Sequence, residues 1–287
     1  MNRRFDYSRS RIGPQPSRSG GCMRIGLGLA IAIFAIVSFL GSKVSNPVTG
    51  KDQYITITEE QEIALGLQAA PQMAAQFGGL EKDQDYQDAI QYVGNYLVDN
   101  SMASISGYPF EFHVLADQST VNAFALPGGQ IFLTRAMVDA LETEGQIAAV
   151  LAHEIVHVLA RHSAERIAEA QLAEGLTGAL VMATYDPDNP ASMRTAQVAM
   201  IISQLIQMKY GRDDEITSDE LGVQIMGEAG YDPRAMVDVM RMLESVSGGS
   251  APVEFLSTHP SPENRIGRIQ AAISALFPNG VPSGLIE

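Results

Sequence analysis

One cysteine, Cys22, stands in 287 residues, which rules out an intramolecular disulfide. It precedes the long apolar run instead of following it, so attachment of a lipid at that residue is excluded as well. Positive charge is scarce: 19 Lys and Arg face 33 Asp and Glu, a formal net charge of −14. A surface that acidic repels phosphate and argues against nucleic acid as a partner. There is no internal repeat. Beyond Ile25–Gly41, the apolar stretch 172–183 is too short to cross a bilayer. The β-forming segments are few, and all fall between 110 and 134. Hydrophobic residues make up 46% of the chain, enough for a sizeable core.

The charge is unevenly spread. Residues 1–24 carry six Arg and one acid, Asp6, leaving 13 basic against 32 acidic residues in the remainder. This head is rich in Arg, Ser, Gly and Pro, and it reads as a disordered cytoplasmic tail. The following run, residues 25–41, reads as a membrane anchor, with a cleaved signal segment as the alternative. Its 17 residues reach about 25 Å as a helix, marginal for the hydrocarbon core. In either case the Arg-rich tail stays inside and the remainder is exported. An exported chain without disulfides suits a bacterial envelope. Residues 42–53 read as a linker and 54–280 as one domain.

Within that domain a helix is expected from Thr58, where Thr58-Glu59-Glu60-Gln61 has the form of a capping box, to about Phe77. A second follows at 84–99. FEFHVLA, VNAFAL and QIFLT predict short strands, the last two joined through Pro127-Gly128-Gly129. Further helices are expected at 135–141, 144–171, 191–209, 213–229, 232–245 and 263–276, with loops at 186–190 and 247–262. Residues 172–183 are expected to pack in the core. The fold class is α+β, mainly helical, with a small antiparallel sheet beside the 144–171 helix.

That helix holds His153-Glu154-Ile155-Val156-His157. Histidines four apart share a helical face and can grip one metal ion, while Glu154 is placed to take a proton from a water on that ion. This is the logic of zinc hydrolases, which draw a third ligand from elsewhere. The choice is narrow, with one Cys and five His in the chain. His162, five residues past His157 on the same predicted helix, is rotated off the shared face, and His113 lies in a predicted strand. The acidic candidates cluster in GRDDEITSDELGVQIMGEAG. There Glu215 and Asp219 share a face, so Glu215 can ligate while Asp219 accepts a hydrogen bond from the far nitrogen of a ligand histidine. Asp213 and Asp214 fit as first-turn residues complementing the helix dipole.

HEIVHVLARHSAER followed by DEITSDELG, with NAFALPGG upstream and STHPSPENRI downstream, resembles the zinc metallopeptidases of family 48. That family includes the CAAX prenyl proteases and the HtpX heat-shock protease. ITEEQEIALGLQAA and AGYDPRAM add likeness to its soluble-domain branch of Oma-type and BepA-type proteases. The resemblance runs from about Ile57 to Phe277. It implies a zincin-like domain with one zinc per chain on His153, His157 and Glu215, and Glu154 as catalytic base. One departure is Ser218, where the family often has Ala, a small-for-small change.

A zinc endopeptidase of the cell envelope is therefore expected, acting on unfolded or misassembled proteins. The alternative is a zinc-containing chaperone or assembly factor with little proteolysis. His259 and Arg265 in THPSPENRI are candidates to stabilise the oxyanion, and His259 could instead reach the open metal position.

Overall fold

The computed structural model of the chain describes residues 19–184, 209–247, 253–259 and 264–287. Most of the expected basic tail, the 186–190 loop and nearly all of the 191–209 helix lie outside the described residues.

A helix at Glu144–Leu159 (α5) organises the domain, and from Ala148 to Leu159 every residue is buried. AAVLAHEIVHVLA is apolar on all faces, so the helix can only be stable with neighbours on every side. Those neighbours include α3 (Gln84–Asp99), α7 (Arg212–Glu228), α8 (Ala235–Ser247) and one strand edge. Helix α7 comes close because it presents a glycine: a Cβ on Gly222 would sit 3.5 Å from the His153 backbone nitrogen and 2.9 Å from Met236 Cε. The remaining helices are α1 (Ser19–Gly41), α2 (Glu59–Gln76), α4 (Arg135–Ala140), α6 (His162–Thr184), α9 (Phe255–Thr258) and α10 (Arg265–Leu276). Thr58 closes its capping box with Gln61, which fixes the start of α2.

The chain is mainly helical α+β, as read from the sequence. The strands Lys43–Ser45 (β1) and Asp52–Tyr54 (β2) pair antiparallel, so the segment expected as a linker is a hairpin. Side chains tie it to the end of α5: Asn46 Nδ2 donates to Leu159 O at 3.1 Å and Gln53 Nε2 to Ala160 O at 2.7 Å. The central sheet comprises β3 (Glu111–Leu115), β4 (Ala123–Ala125) and β5 (Gln130–Thr134) in the order β3-β5-β4. It is mixed, not antiparallel throughout. The hairpin turn reverses β4 into β5, and β5 then lies between its neighbours, parallel to β3.

The turn in that hairpin depends on glycine. Gly128 has φ +81°, and a Cβ there would fall 2.3 Å from Ile63 Cα in α2. Gly128→Ala combines left-handed strain with a backbone collision and should cost at least about 2 kcal/mol. Urea denaturation of the variant would measure it, and a loss under half that would show that α2 yields.

The 144–171 helix of the sequence reading is broken. Arg161 takes φ +56°, ending α5, and its guanidinium is drawn into a partly buried pair with Glu62 and a 2.9 Å bond to Ile57 O. A new helix, α6, starts at His162. Residues 172–177 continue α6 partly or fully exposed, not as core, and a Cβ on Gly175 would lie 2.8 Å from Ala35 of α1. Among the described residues no helix is long and apolar enough to cross a membrane.

Candidate metal centre

Four side chains from three separate segments meet in the interior. His153 and His157 come from α5, Glu215 from the first turn of α7, and His259 from the end of α9; all are at most 3% exposed. His153 Nε2 stands 3.1 Å from His157 Nε2, 3.3 Å from His259 Nδ1 and 3.5 Å from Glu215 Oε2. Glu215 Oε1 is 3.5 Å from His157 Nε2 and 3.0 Å from His259 Nδ1. A tetrahedral ion with ligand bonds of about 2.0–2.1 Å has ligand-to-ligand edges of about 3.3 Å. The spacing therefore fits a metal ion.

Unsatisfied atoms point the same way. Both carboxylate oxygens of Glu154, Glu215 Oε2 and His259 Nε2 are buried without a hydrogen-bond partner among the described residues. Buried polar atoms are rarely left so, and an ion with its attendant water would satisfy them. Glu154 lies beside the cluster, with Oε1 3.5 Å from His259 Nε2.

The charges are arranged to match. Burial raises the Glu154 carboxyl above its ordinary value, while burial drives His157 well below its own, keeping that imidazole neutral. Burial would raise Glu215 too, but His259 and the other two histidines more than offset it, and it is held well below the carboxylate range. Burial lowers His162 to about 4.

Around these four residues lies a set of buried partners. Asp219 Oδ1 is 2.9 Å from His153 Nδ1, and Arg265 donates to both Asp219 oxygens, from Nε at 2.6 Å and Nη2 at 2.8 Å. Arg265 thus approaches from the Nδ1 side of His153, behind the ring, where it forms an ion pair. Its Nη2 also lies 3.3 Å from Glu215 Oε2. His259 stands among the candidate ligand atoms. Asp214 Oδ2 accepts the Gly211 N–H and Arg166 Nη2, each at 2.8 Å. Asp213 is on the first turn of α7 outside the cluster. Ser218, next to Asp219 on α7, is fully buried.

Two nearby residues had no role in the sequence reading. Tyr210 lays its ring 3.8 Å from that of His157, centroid to centroid, and its hydroxyl donates to Ala125 O of β4 at 3.3 Å. His162 Nδ1 is 2.9 Å from His157 Nδ1. Only the Arg161 break makes this possible, since on an unbroken helix five residues carry the side chain about 140° around the axis. Tyr210 gives no signal in sequence beyond preceding the acidic helix.

The strand edge beside the site is occupied. In β4 the groups facing away from β5 belong to alternate residues. Val121 O accepts Phe255 N at 3.2 Å, Val121 bridges Val253, and Ala125 O is taken by Tyr210.

Residues 85–273 match the model of peptidase family M48. The beta-barrel assembly-enhancing protease of Yersinia pestis is 31% identical over 243 residues, covering 83% of this chain and 49% of that protein. Its Escherichia coli counterpart is 29% identical, covering 86% and 50%. The mitochondrial metalloendopeptidase OMA1 of Schizosaccharomyces pombe is 28% identical, covering 78% and 64%. The chain spans about half the length of the bacterial relatives it matches.

Proposed function

The chain belongs to peptidase family M48, and on that footing we propose that it is a zinc-dependent endopeptidase of the bacterial cell envelope, removing unfolded or misassembled proteins. The observation that carries this reading is the His153–His157–Glu215 set with the Glu154 carboxylate beside it, unpartnered among the described residues. The names of the relatives support it, since they describe proteases, two of them acting in β-barrel assembly.

Bound zinc supplies a Lewis acid that polarises the scissile carbonyl and lowers the pKa of water at the site. His153, His157 and Glu215 hold the single ion of the 54–280 domain. Glu154 takes the proton of the attacking water and returns it to the leaving amine. Arg265 acts through Asp219, which orients His153. Substrate enters as an extended segment along the outer edge of β4, bound through backbone groups and so with loose sequence preference.

For that, the His259 segment has to move. Phe255 sits on the Val121 carbonyl and stacks on His259 with ring centroids 4.3 Å apart, so lifting α9 frees strand edge and metal together. His259→Ala should raise the hydrolysis of an unstructured peptide severalfold to about tenfold, as a closed population is released. A fall of about 10²–10³-fold would assign His259 to the oxyanion instead. Unchanged activity would remove both roles.

The closed four-ligand set is also what favours the second reading, a zinc-containing chaperone or assembly factor with little proteolysis, since structural zinc sites are fully ligated. One assay separates them. Purified full-length protein is incubated with casein or an unfolded membrane protein, with and without a chelator. Chelator-sensitive cleavage fits the endopeptidase; substrate held uncut by metal-loaded protein would defeat it.

The membrane enters through α1. Nine of its large apolar side chains are exposed, from Met23 and Ile25 to Val37 and Leu40, with Ala35 turned to α6. Residues 25–41 are short for a full span, so the bilayer must thin locally around them. The Arg-rich residues 1–24 stay in the cytoplasm and the domain lies outside. Reporter fusions after residue 60 should be active only outside the cytoplasm; activity inside would reverse the topology. An intact mass starting near residues 42–46 would replace the anchor by a cleaved signal.

A further inference from the structure

The two α5 histidines are braced differently. His153 has a carboxylate on its Nδ1, that of Asp219. His157 has a third histidine there, His162, with the two Nδ1 atoms 2.9 Å apart. At that separation one ring must donate and the other accept. On its far side, His162 Nε2 faces Asp214 Oδ1 at 3.9 Å, and the Asp214 carboxylate is fixed by Arg166 and the Gly211 amide.

We propose that His162 is a positioning residue for the metal site, accepting the Nδ1–H of His157 and so leaving His157 Nε2 bare for the ion. The opposite wiring fails twice. If His162 donated, its Nε2 lone pair would face the Asp214 carboxylate, and His157 would carry its hydrogen on Nε2. That hydrogen would then point into the ligand cluster, where His153 Nε2 is 3.1 Å away. With His162 as acceptor, its own hydrogen sits on Nε2 and faces Asp214. Helix α7 thereby serves both histidines and the metal through three carboxylates: Asp219 braces His153, Glu215 ligates, and Asp214 braces His157 at one remove.

The sequence separates these parts, and the Arg161 turn joins them. Glu62 and the Ile57 carbonyl hold Arg161 in its left-handed conformation, and that reversal swings His162 back over His157. A histidine between a ligand and a carboxylate does what an outer carboxylate or carbonyl usually does at such sites.

The inference rests on metal binding at this site, so the test reads zinc affinity and not proteolysis. Full-length wild type, His162→Phe and His162→Asn are compared by competition with a zinc chelator of known affinity. Phe keeps a ring but has no acceptor; the Asn amide oxygen lies near the place of Nδ1. Zinc should bind about 10–100-fold more weakly to His162→Phe, and His162→Asn should recover most of that loss. Undiminished affinity in His162→Phe, or equal loss in both variants, would overturn the proposal, because packing alone would then account for His162. Should either variant fail to fold, nitrogen NMR of the zinc-loaded wild type decides: His162 protonated on Nε2 is required, and protonation on Nδ1 refutes it. Wild type that bound no zinc would defeat the metal site itself, a separable outcome.

Discussion

Glu154→Gln should keep the full metal content of the wild type and lose cleavage by about 10²–10⁴-fold, the range for removing a general base. Glu154 stands next to His153 on α5 but outside the four-residue cluster that could hold a metal, so metal affinity is not expected to depend on it. Its oxygens are buried and have no hydrogen-bond partner among the described residues, so no structural bond seen there is lost on exchange for an amide of the same shape. What is lost is basicity. Burial raises the carboxyl above the ordinary glutamate value, making it a stronger base than an exposed carboxylate, and the amide cannot take a proton. Zinc content and initial rate on the same preparation check both halves. A variant that cleaves at the wild-type rate would end the assignment of Glu154, and one that cannot hold metal would show it to be part of the ligand set.

Glu215→Gln is expected to empty the site and abolish activity, while Asp219→Asn should weaken metal binding by only about 10–100-fold. Glu215 is the one anionic member of the four-residue cluster, within 3.5 Å of three histidines. Its carboxyl is kept ionised despite burial, so a neutral amide removes the charge that offsets the cation. Asp219 acts one step out, through His153 Nδ1. It also holds Arg265, so truncation to Ala would strip the buried guanidinium of its Asp219 bonds, leaving it only Glu215 Oε2 at 3.3 Å, and would cost stability as well as metal affinity. Asn avoids much of that loss and isolates the effect on the metal. Metal analysis after dialysis would read the ranking. If Asp214→Asn emptied the site as fully as Glu215→Gln, the ligand assignment would be wrong.

How much of this was legible depended on how local each cause is. Helix boundaries with a chemical marker could be read: Thr58 and Gln61 fix the start of α2, and Pro127-Gly128-Gly129 marks the β4–β5 turn. The spacing of His153 and His157, and of Glu215 and Asp219, fixes a shared face within one helix, because four residues make about one turn. The mixed sheet was not legible, since β3 and β5 pair across the whole hairpin and nothing in QIFLT records which neighbour it will have. The β1–β2 hairpin was hidden in the same way, its anchorage being carbonyls at the end of α5.

By itself the sequence determined which residue types could make a metal site and placed each pair on one helical face, together with the mainly helical class and the apolar character of α5. Tertiary structure alone decided that α5 and α7 bring their faces together, that His259 joins the candidate ligand cluster from a segment 102 positions beyond His157, and that Arg265 reaches the Nδ1 side of His153. It also decided where α5 stops. VLARHSAER has no glycine or proline to end a helix, yet Arg161 turns left-handed because Glu62 and Ile57, about 100 residues earlier, draw its side chain down. A left-handed turn at a non-glycine residue costs roughly 1–2 kcal/mol. A local pattern cannot foresee that cost being met, because the partly buried ion pair that offsets it forms only when distant parts of the chain are packed together.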